Sequence, residues 1–148
     1  MSFSVVPEQR SADVPLRLRL LARLTVTAAW LLIRLSPGRQ RRVLSVIARG
    51  ARPAGYGQAL DCRQAVVTVS SKCAGLGCLQ RSVATVLLCR MHGAWPEWCT
   101  GVRTEPFRAH AWVEAEGRPV GEGEDIPLFR KMLHVPAPAP ATTGHRRL

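Results

Sequence analysis

Cys78 opens a helical repeat directly after a Gly-Leu-Gly loop, and His110 heads the strand-like alternation AHAWVE. Both are side chains able to carry covalent acyl chemistry. A thiolate attacks a carbonyl, an imidazole within hydrogen-bond reach moves the protons, and a third group orients the imidazole. The setting of Cys78 matters, because the amides of a first helical turn and the macrodipole favour thiolate over thiol. Cys62, Cys73, Cys89 and Cys99 lack that setting and read as small buried or loop thiols.

The third group is sought by hairpin arithmetic downstream of His110. A three-residue loop Ala115-Glu116-Gly117 would oppose Glu114 to Arg118, Trp112 to Val120 and His110 to Glu122. A two-residue turn at Glu116-Gly117 would instead set His110 against Gly123 and lose all three pairings. The expectation is therefore the three-residue loop with Glu122 as the orienting carboxylate. Asp125 is the alternative, because Gly121 and Gly123 could let the chain curl back.

The elements that must hold these residues are legible from periodicity. Residues 14–35 read as an amphipathic helix with Leu21, Leu24, Ala28, Leu32 and Leu35 on one face and Arg19, Arg23, Thr27 and Arg34 on another. Residues 39–49 form a second helix, the run GARPAGYG breaks the pattern, and 59–71 form a third. Helical spacing then runs from Cys78 until Gly93 can stop it. From Trp98 the period becomes two, with strands at 98–103 and 110–115 and a third at 118–122. A helix carrying Cys followed by an antiparallel sheet carrying His is an α+β order shared by papain-like and transglutaminase-like enzymes. The expected organisation is a basic helical region over 1–57, a core over 58–135 and a loose Pro/Ala-rich tail over 136–148.

Charge narrows the function classes. The net charge is +11, but residues 1–57 carry ten Arg against Glu8 and Asp13, so most of the excess is N-terminal. No basic stripe interleaved with aromatics accompanies it, and nucleic acid is not the expected partner. The longest uncharged stretch of the first helix, Leu24 to Ile33, is too short for the ~20 residues that span a bilayer. That helix can rest on a membrane or a partner, but packing on its own protein is the favoured reading. Five cysteines without a secretory signal point to a reducing cytoplasm rather than a disulfide framework. Cys73 and Cys78 have no second Cys/His pair at a zinc-like interval, and neither metal nor cofactor is expected.

The segment CLQRSVATVLLCRMHG, followed by GVRTEPFRAHAWVEAEGRPVGE, resembles the transglutaminase-like cysteine peptidase of lasso peptide biosynthesis, the B protein that removes the leader from the precursor peptide. The likeness covers residues 58–135 and rests on Cys-Leu-x-Arg-Ser and Pro-Phe-x-Ala-His-Ala-Trp-Val-Glu occurring in order. It implies Cys78 as nucleophile, His110 as base and Glu122 at the third position, where many members carry Asp. No winged-helix-like sequence precedes the helices, which implies the split form: a separate small protein binds the leader. The freed core peptide then passes to an ATP-dependent cyclase. Two other classes stay open, a transglutaminase-type acyltransferase and a non-catalytic basic adaptor for a membrane or nucleic acid.

Overall fold

A computed structural model describes residues 14–139. The first part of the basic region, 1–13, and most of the expected tail, 140–148, lie outside the described residues. Helices α1 (Leu16–Leu32), α2 (Pro37–Ala48), α3 (Tyr56–Val69), the single turn α4 (Ser71–Ala74) and α5 (Cys78–Met91) come first. Strands β3 (Glu97–Thr104), β4 (Phe107–Ala115), β5 (Arg118–Pro119) and β6 (Arg130–Val135) follow. They form an antiparallel sheet in the order β5-β4-β3-β6, and the α+β reading holds. β1 (Arg52–Pro53) and β2 (Ala94–Trp95) make a short parallel pair beside it.

The period-two pattern of the sheet decides which face packs. Trp98 on β3 and Val113 and Ala115 on β4 are buried in one cluster with Val83, Val86 and Leu87 of α5. The Trp98 indole also donates to the Ser82 hydroxyl at 3.1 Å, so the buried N–H is satisfied. The opposite face carries His110 and Trp112 on β4, with Cys99 beside Trp112 on β3. There Cys99, Trp112, Ile126 and Phe129 make a second, smaller apolar cluster.

α1 packs on its own protein, with a face rotated from the expected one. Ala22, Thr25 and Ala29 are the buried positions, Leu21, Ala28 and Leu32 of the expected face pack at its side, and Leu24, also expected inside, is 63% exposed. The small side chains let α1 approach the same core to which α3 contributes Ala59, Ala65 and Val66. A leucine at those positions would hold the helix away. The seam is tied by the Gln80 amide of α5, which donates to the Val26 carbonyl at 3.1 Å. Leu44 and Ala48 of α2 join the same cluster.

The hairpin corrects the expected register. Ala115 pairs with Arg118 and Glu114 with Pro119, so the loop is the two-residue turn Glu116-Gly117. Both residues have positive φ, 54° and 73°, as a type I′ turn requires. The twist of such a turn matches that of the flanking strands, and this outweighs the side-chain pairings of the three-residue alternative. The strand expected over 118–122 is correspondingly shorter: it ends at Pro119, after which only the Val120 amide still bonds across, to the Val113 carbonyl at 2.8 Å. A fourth strand, β6, lies where the sequence reading assigns none.

The turn can be tested at Glu116, a non-glycine residue in the left-handed region. Replacing it with Asn, which tolerates that region, should raise the urea midpoint by an amount equivalent to about 0.5 kcal/mol. Glu116→Val should lower it by about 1 kcal/mol or more. Equal midpoints for the two variants would argue against the two-residue turn.

Candidate active site

Cys78 is the first residue of α5, and its half-buried thiol faces the sheet where β4 presents His110. The thiol hydrogen-bonds the His110 ring and also lies on the Ala111 amide. On the far side of the ring, Nε2 of His110 donates to Oε2 of Glu122 at 2.9 Å. With Nε2 committed to the carboxylate, Nδ1 is the ring nitrogen left for sulfur. The sequence reading thus named the His–Glu pair correctly from the wrong register. The chain turns sharply beyond β5 at Gly121, whose φ is +63°, and this swings Glu122 back towards His110.

Glu122 is 8% exposed, and a carboxylate removed from water needs compensating charge. Two buried guanidinium groups supply it: Arg63 of α3 at 3.5 Å and Arg81 of α5 at 3.9 Å. Arg81 also donates to the carbonyls of Cys73 at 3.0 Å and Gly75 at 3.4 Å. One side chain therefore ties the loop that leads into Cys78 to the carboxylate that orients His110. Arg63 was not singled out from sequence, and Arg81 entered only as a motif letter. The available signal was an Arg at an otherwise apolar position of each helix.

Asp125, the alternative third group, lies elsewhere in the same cavity. Its carboxylate faces Arg103 at 3.8 Å and Arg108 at 3.7 Å and is 41% exposed. The structure brings Cys78, His110 and Glu122 together and gives Asp125 to surface guanidinium groups.

The ring of His110 is also fixed from its faces. It stacks on Trp112 with centroids 6.0 Å apart and planes 12° apart, and Phe129 lies 5.6 Å away. The Trp112 indole donates to Glu114 at 3.0 Å, and Lys131 holds the other oxygen of that carboxylate at 3.0 Å. Gly101, the β3 partner of His110, leaves room for this arrangement: a Cβ there would come within 2.9 Å of the Trp112 ring.

Electrostatics divides the thiols. Burial opposes ionisation of Cys78, but the hydrogen bonds from His110 and the Ala111 amide, with the charges of His110 and Arg81, outweigh it and lower its pKa. Burial likewise opposes protonation of His110, but Cys78 and Glu122 overcome it and raise its pKa to about 9. Both shifts favour the thiolate–imidazolium form of the pair. Burial instead pushes Cys73 up, and burial with the nearby carboxylates of Glu97 and Glu114 pushes Cys99 up to about 12. The thiols of Cys62 and Cys89 hydrogen-bond each other, which lowers the first and raises the second.

One group of metal-ligand types occurs among the described residues. Donor atoms of Glu97, Cys99 and Glu114 lie within 4.8 Å of one another, where Cys spacing alone could not reveal them. Lys131 already brings its ammonium to 3.7 Å from Glu97 and 3.0 Å from Glu114. No helix of the described residues is long and apolar enough to cross a membrane.

The helix-borne thiol, the strand-borne histidine and their order in the chain agree with comparison at the family level. Residues 22–134 match the model of the transglutaminase-like superfamily, and the chain belongs to that family. The superfamily includes cysteine peptidases and acyltransferases. No curated protein and no solved structure matches the chain.

The poised pair predicts a pH signature. Alkylation of Cys78 by iodoacetamide should outpace that of the other four thiols at neutral pH and fall as acid protonates the thiolate. His110→Ala removes the hydrogen bond and charge that do most to lower the thiol pKa, leaving the Ala111 amide and Arg81, so the alkylation profile should shift to higher pH. Peptide mapping after timed labelling measures both; labelling of Cys99 ahead of Cys78 would contradict the assignment.

Proposed function

We propose that this chain is the leader-releasing cysteine peptidase of a lasso peptide pathway, acting with a separate small leader-recognition protein. The observation that carries the proposal is the line Cys78–His110–Glu122, with the last contact at 2.9 Å, on residues whose flanking motifs resemble those of that peptidase. Within the superfamily, the geometry is that required for attack on an amide carbonyl.

The Cys78 thiolate attacks the carbonyl at the leader–core junction, and the amide of Cys78 at the start of α5 is the first donor to the developing oxyanion. His110 enters as imidazolium and gives its proton to the departing core-peptide amine, so the C–N bond breaks and a thioester remains. Water then attacks the thioester while His110 takes up a proton, and the leader leaves with a free carboxylate. Glu122 acts through His110. It is a positioning residue, which holds the ring by Nε2 and stabilises its cationic form. The freed core peptide is the substrate of an ATP-dependent macrolactam-forming cyclase.

The basic helix α1 supports a role for partners. Leu16, Leu20, Leu24 and Leu31 are exposed on it among Arg17 and Arg23, with Arg34 just past its end, a surface suited to an acidic protein partner in a cytoplasmic assembly.

Mass spectrometry of a precursor peptide incubated with this chain and its recognition partner tests the reading. Leader acid and free core peptide are expected, and Cys78→Ala should abolish both while retaining the native circular dichroism. Glu122→Gln should lower kcat by about 10²-fold or more with KM little changed and displace the pH profile. Glu122→Asp should recover much of the rate, and Asp125→Asn should be mild. The alkaline limb of kcat/KM should fall near pH 9, where the pair loses its imidazolium proton. Incorporation of an added amine in preference to water would make the chain an acyltransferase. Full cleavage by Cys78→Ala would end the peptidase assignment.

A further inference from the structure

Two residues past Trp112 on β4, the same sheet face carries Glu114, with Glu97 directly opposite on β3. Like charges in that position repel. Cys99, next along that face of β3, is fully buried, and its thiol hydrogen-bonds Glu97. Donor atoms of these three residues lie within 4.8 Å of one another. β6 adds His134 in register with Cys99, and Nδ1 of its ring stands 3.1 Å from Oε1 of Glu97. The ammonium of Lys131 offsets the carboxylates, at 3.0 Å from Glu114 and 3.7 Å from Glu97, but that side chain is 42% exposed. The cluster thus joins a buried sulfur, an imidazole and two carboxylates around a position that already attracts a cation. Ion pairing alone gives no role to the buried thiol; a metal that takes sulfur does.

We propose that Glu97, Cys99, Glu114 and His134 form a zinc site, which the ion enters by displacing the ammonium of Lys131. The ligand types select the metal: thiolate, imidazole and carboxylate together suit Zn²⁺, whereas Ca²⁺ and Mg²⁺ take oxygen. Ligand atoms around a tetrahedral zinc stand about 3.3–3.7 Å apart, so donors already within 4.8 Å need side-chain movements of about 1 Å. The exchange balances in charge. Cys99 releases its thiol proton to water as the sulfur–metal bond forms, and Lys131 swings out into solvent. Two carboxylates with one ammonium leave one negative charge; two carboxylates, a thiolate, a neutral imidazole and one divalent ion leave the same. Glu114 binds the ion through Oε2, the oxygen that Lys131 now holds, and keeps Oε1 on the Trp112 indole. The ion therefore staples the edge strand β6 to β3 and β4 without releasing the indole that stacks on His110.

Cobalt(II) tests the site, because it can stand in for zinc and shows a charge-transfer band in the near ultraviolet when a thiolate binds it. The full chain carrying Cys78→Ala serves as the parent, so that the thiol and imidazole of the active site do not bind the ion together. After treatment with a chelator, this parent should take up Co²⁺ with that band. Zn²⁺ should bleach it and, at saturation, raise the thermal midpoint by roughly 5 °C or more. Adding Cys99→Ser should remove the band. His134→Ala and Glu114→Gln should weaken Co²⁺ binding by about tenfold or more, whereas Lys131→Met, which removes the competing cation, should strengthen it about fivefold. His134 and Lys131 are exposed enough for their variants to report even if Cys99→Ser does not fold. No band in the parent, a band that survives Cys99→Ser, or a Co²⁺ affinity unmoved by both His134→Ala and Lys131→Met would overturn the proposal. Leader release by Cys78 stands or falls separately.

Discussion

The Glu122 carboxylate is the group on which the arrangement of this protein turns. It is buried, and a buried carboxylate survives only where protein charges and donors replace its water. His110 comes to it from the sheet, Arg63 from α3 and Arg81 from α5. Three elements distant in sequence must therefore be in place before the charge is tolerable. The tail end of a two-stranded ribbon thereby becomes part of a tertiary network. Removing one member of such a network leaves the others uncompensated, at a cost of about 3–5 kcal/mol for a fully buried pair. The same groups that stabilise the carboxylate thus define where the imidazole can sit.

Arg81 extends that constraint to the nucleophile. Its guanidinium reaches Glu122 while donating to the Cys73 and Gly75 carbonyls, so the loop that aims α5 and the acid that aims His110 share one anchor. The sheet adds a second restraint from below. Trp112 lies flat against the His110 ring because Gly101 has no Cβ, and Glu114 with Lys131 pins the indole. The imidazole is held at its edge by charge and at its face by packing, leaving Nδ1 free for sulfur. This is the preorganisation that makes a modest pKa difference usable.

Local pattern carried much of this architecture into the sequence. Cys78 at a helix start, the His110 strand and the α+β order were legible because each depends on neighbours within a few residues. The face of α1 was legible only in part: Leu21, Ala28 and Leu32 pack as their hydrophobicity announces, but the close approach of three helices gives the buried centre to Ala22, Thr25 and Ala29. The hairpin was misjudged because side-chain pairings were weighed above turn twist. Its register is set by Glu116 and Gly117, yet Glu122 reaches His110 through the bend at Gly121, which strand arithmetic does not contain. Local pattern marks Arg63 and Arg81 only as arginines at apolar helix positions, since nothing near either residue in the chain shows which carboxylate it meets.

The place where the helix begins also determines what the site can distinguish. A helix laid along a sheet buries the strand positions beneath it and exposes those beyond its end. Here the end bears the reactive thiol, so the uncovered sheet and the nucleophile are neighbours by construction. On one side of Cys78 the sheet offers short uncharged side chains, and on the other the compensating arginines of Glu122 come to the surface of the cavity. The charge needed to hold a buried acid in place therefore makes one half of the cleft polar. The termination of α5 leaves the other half largely apolar, so the two sides of the thiol differ in chemistry.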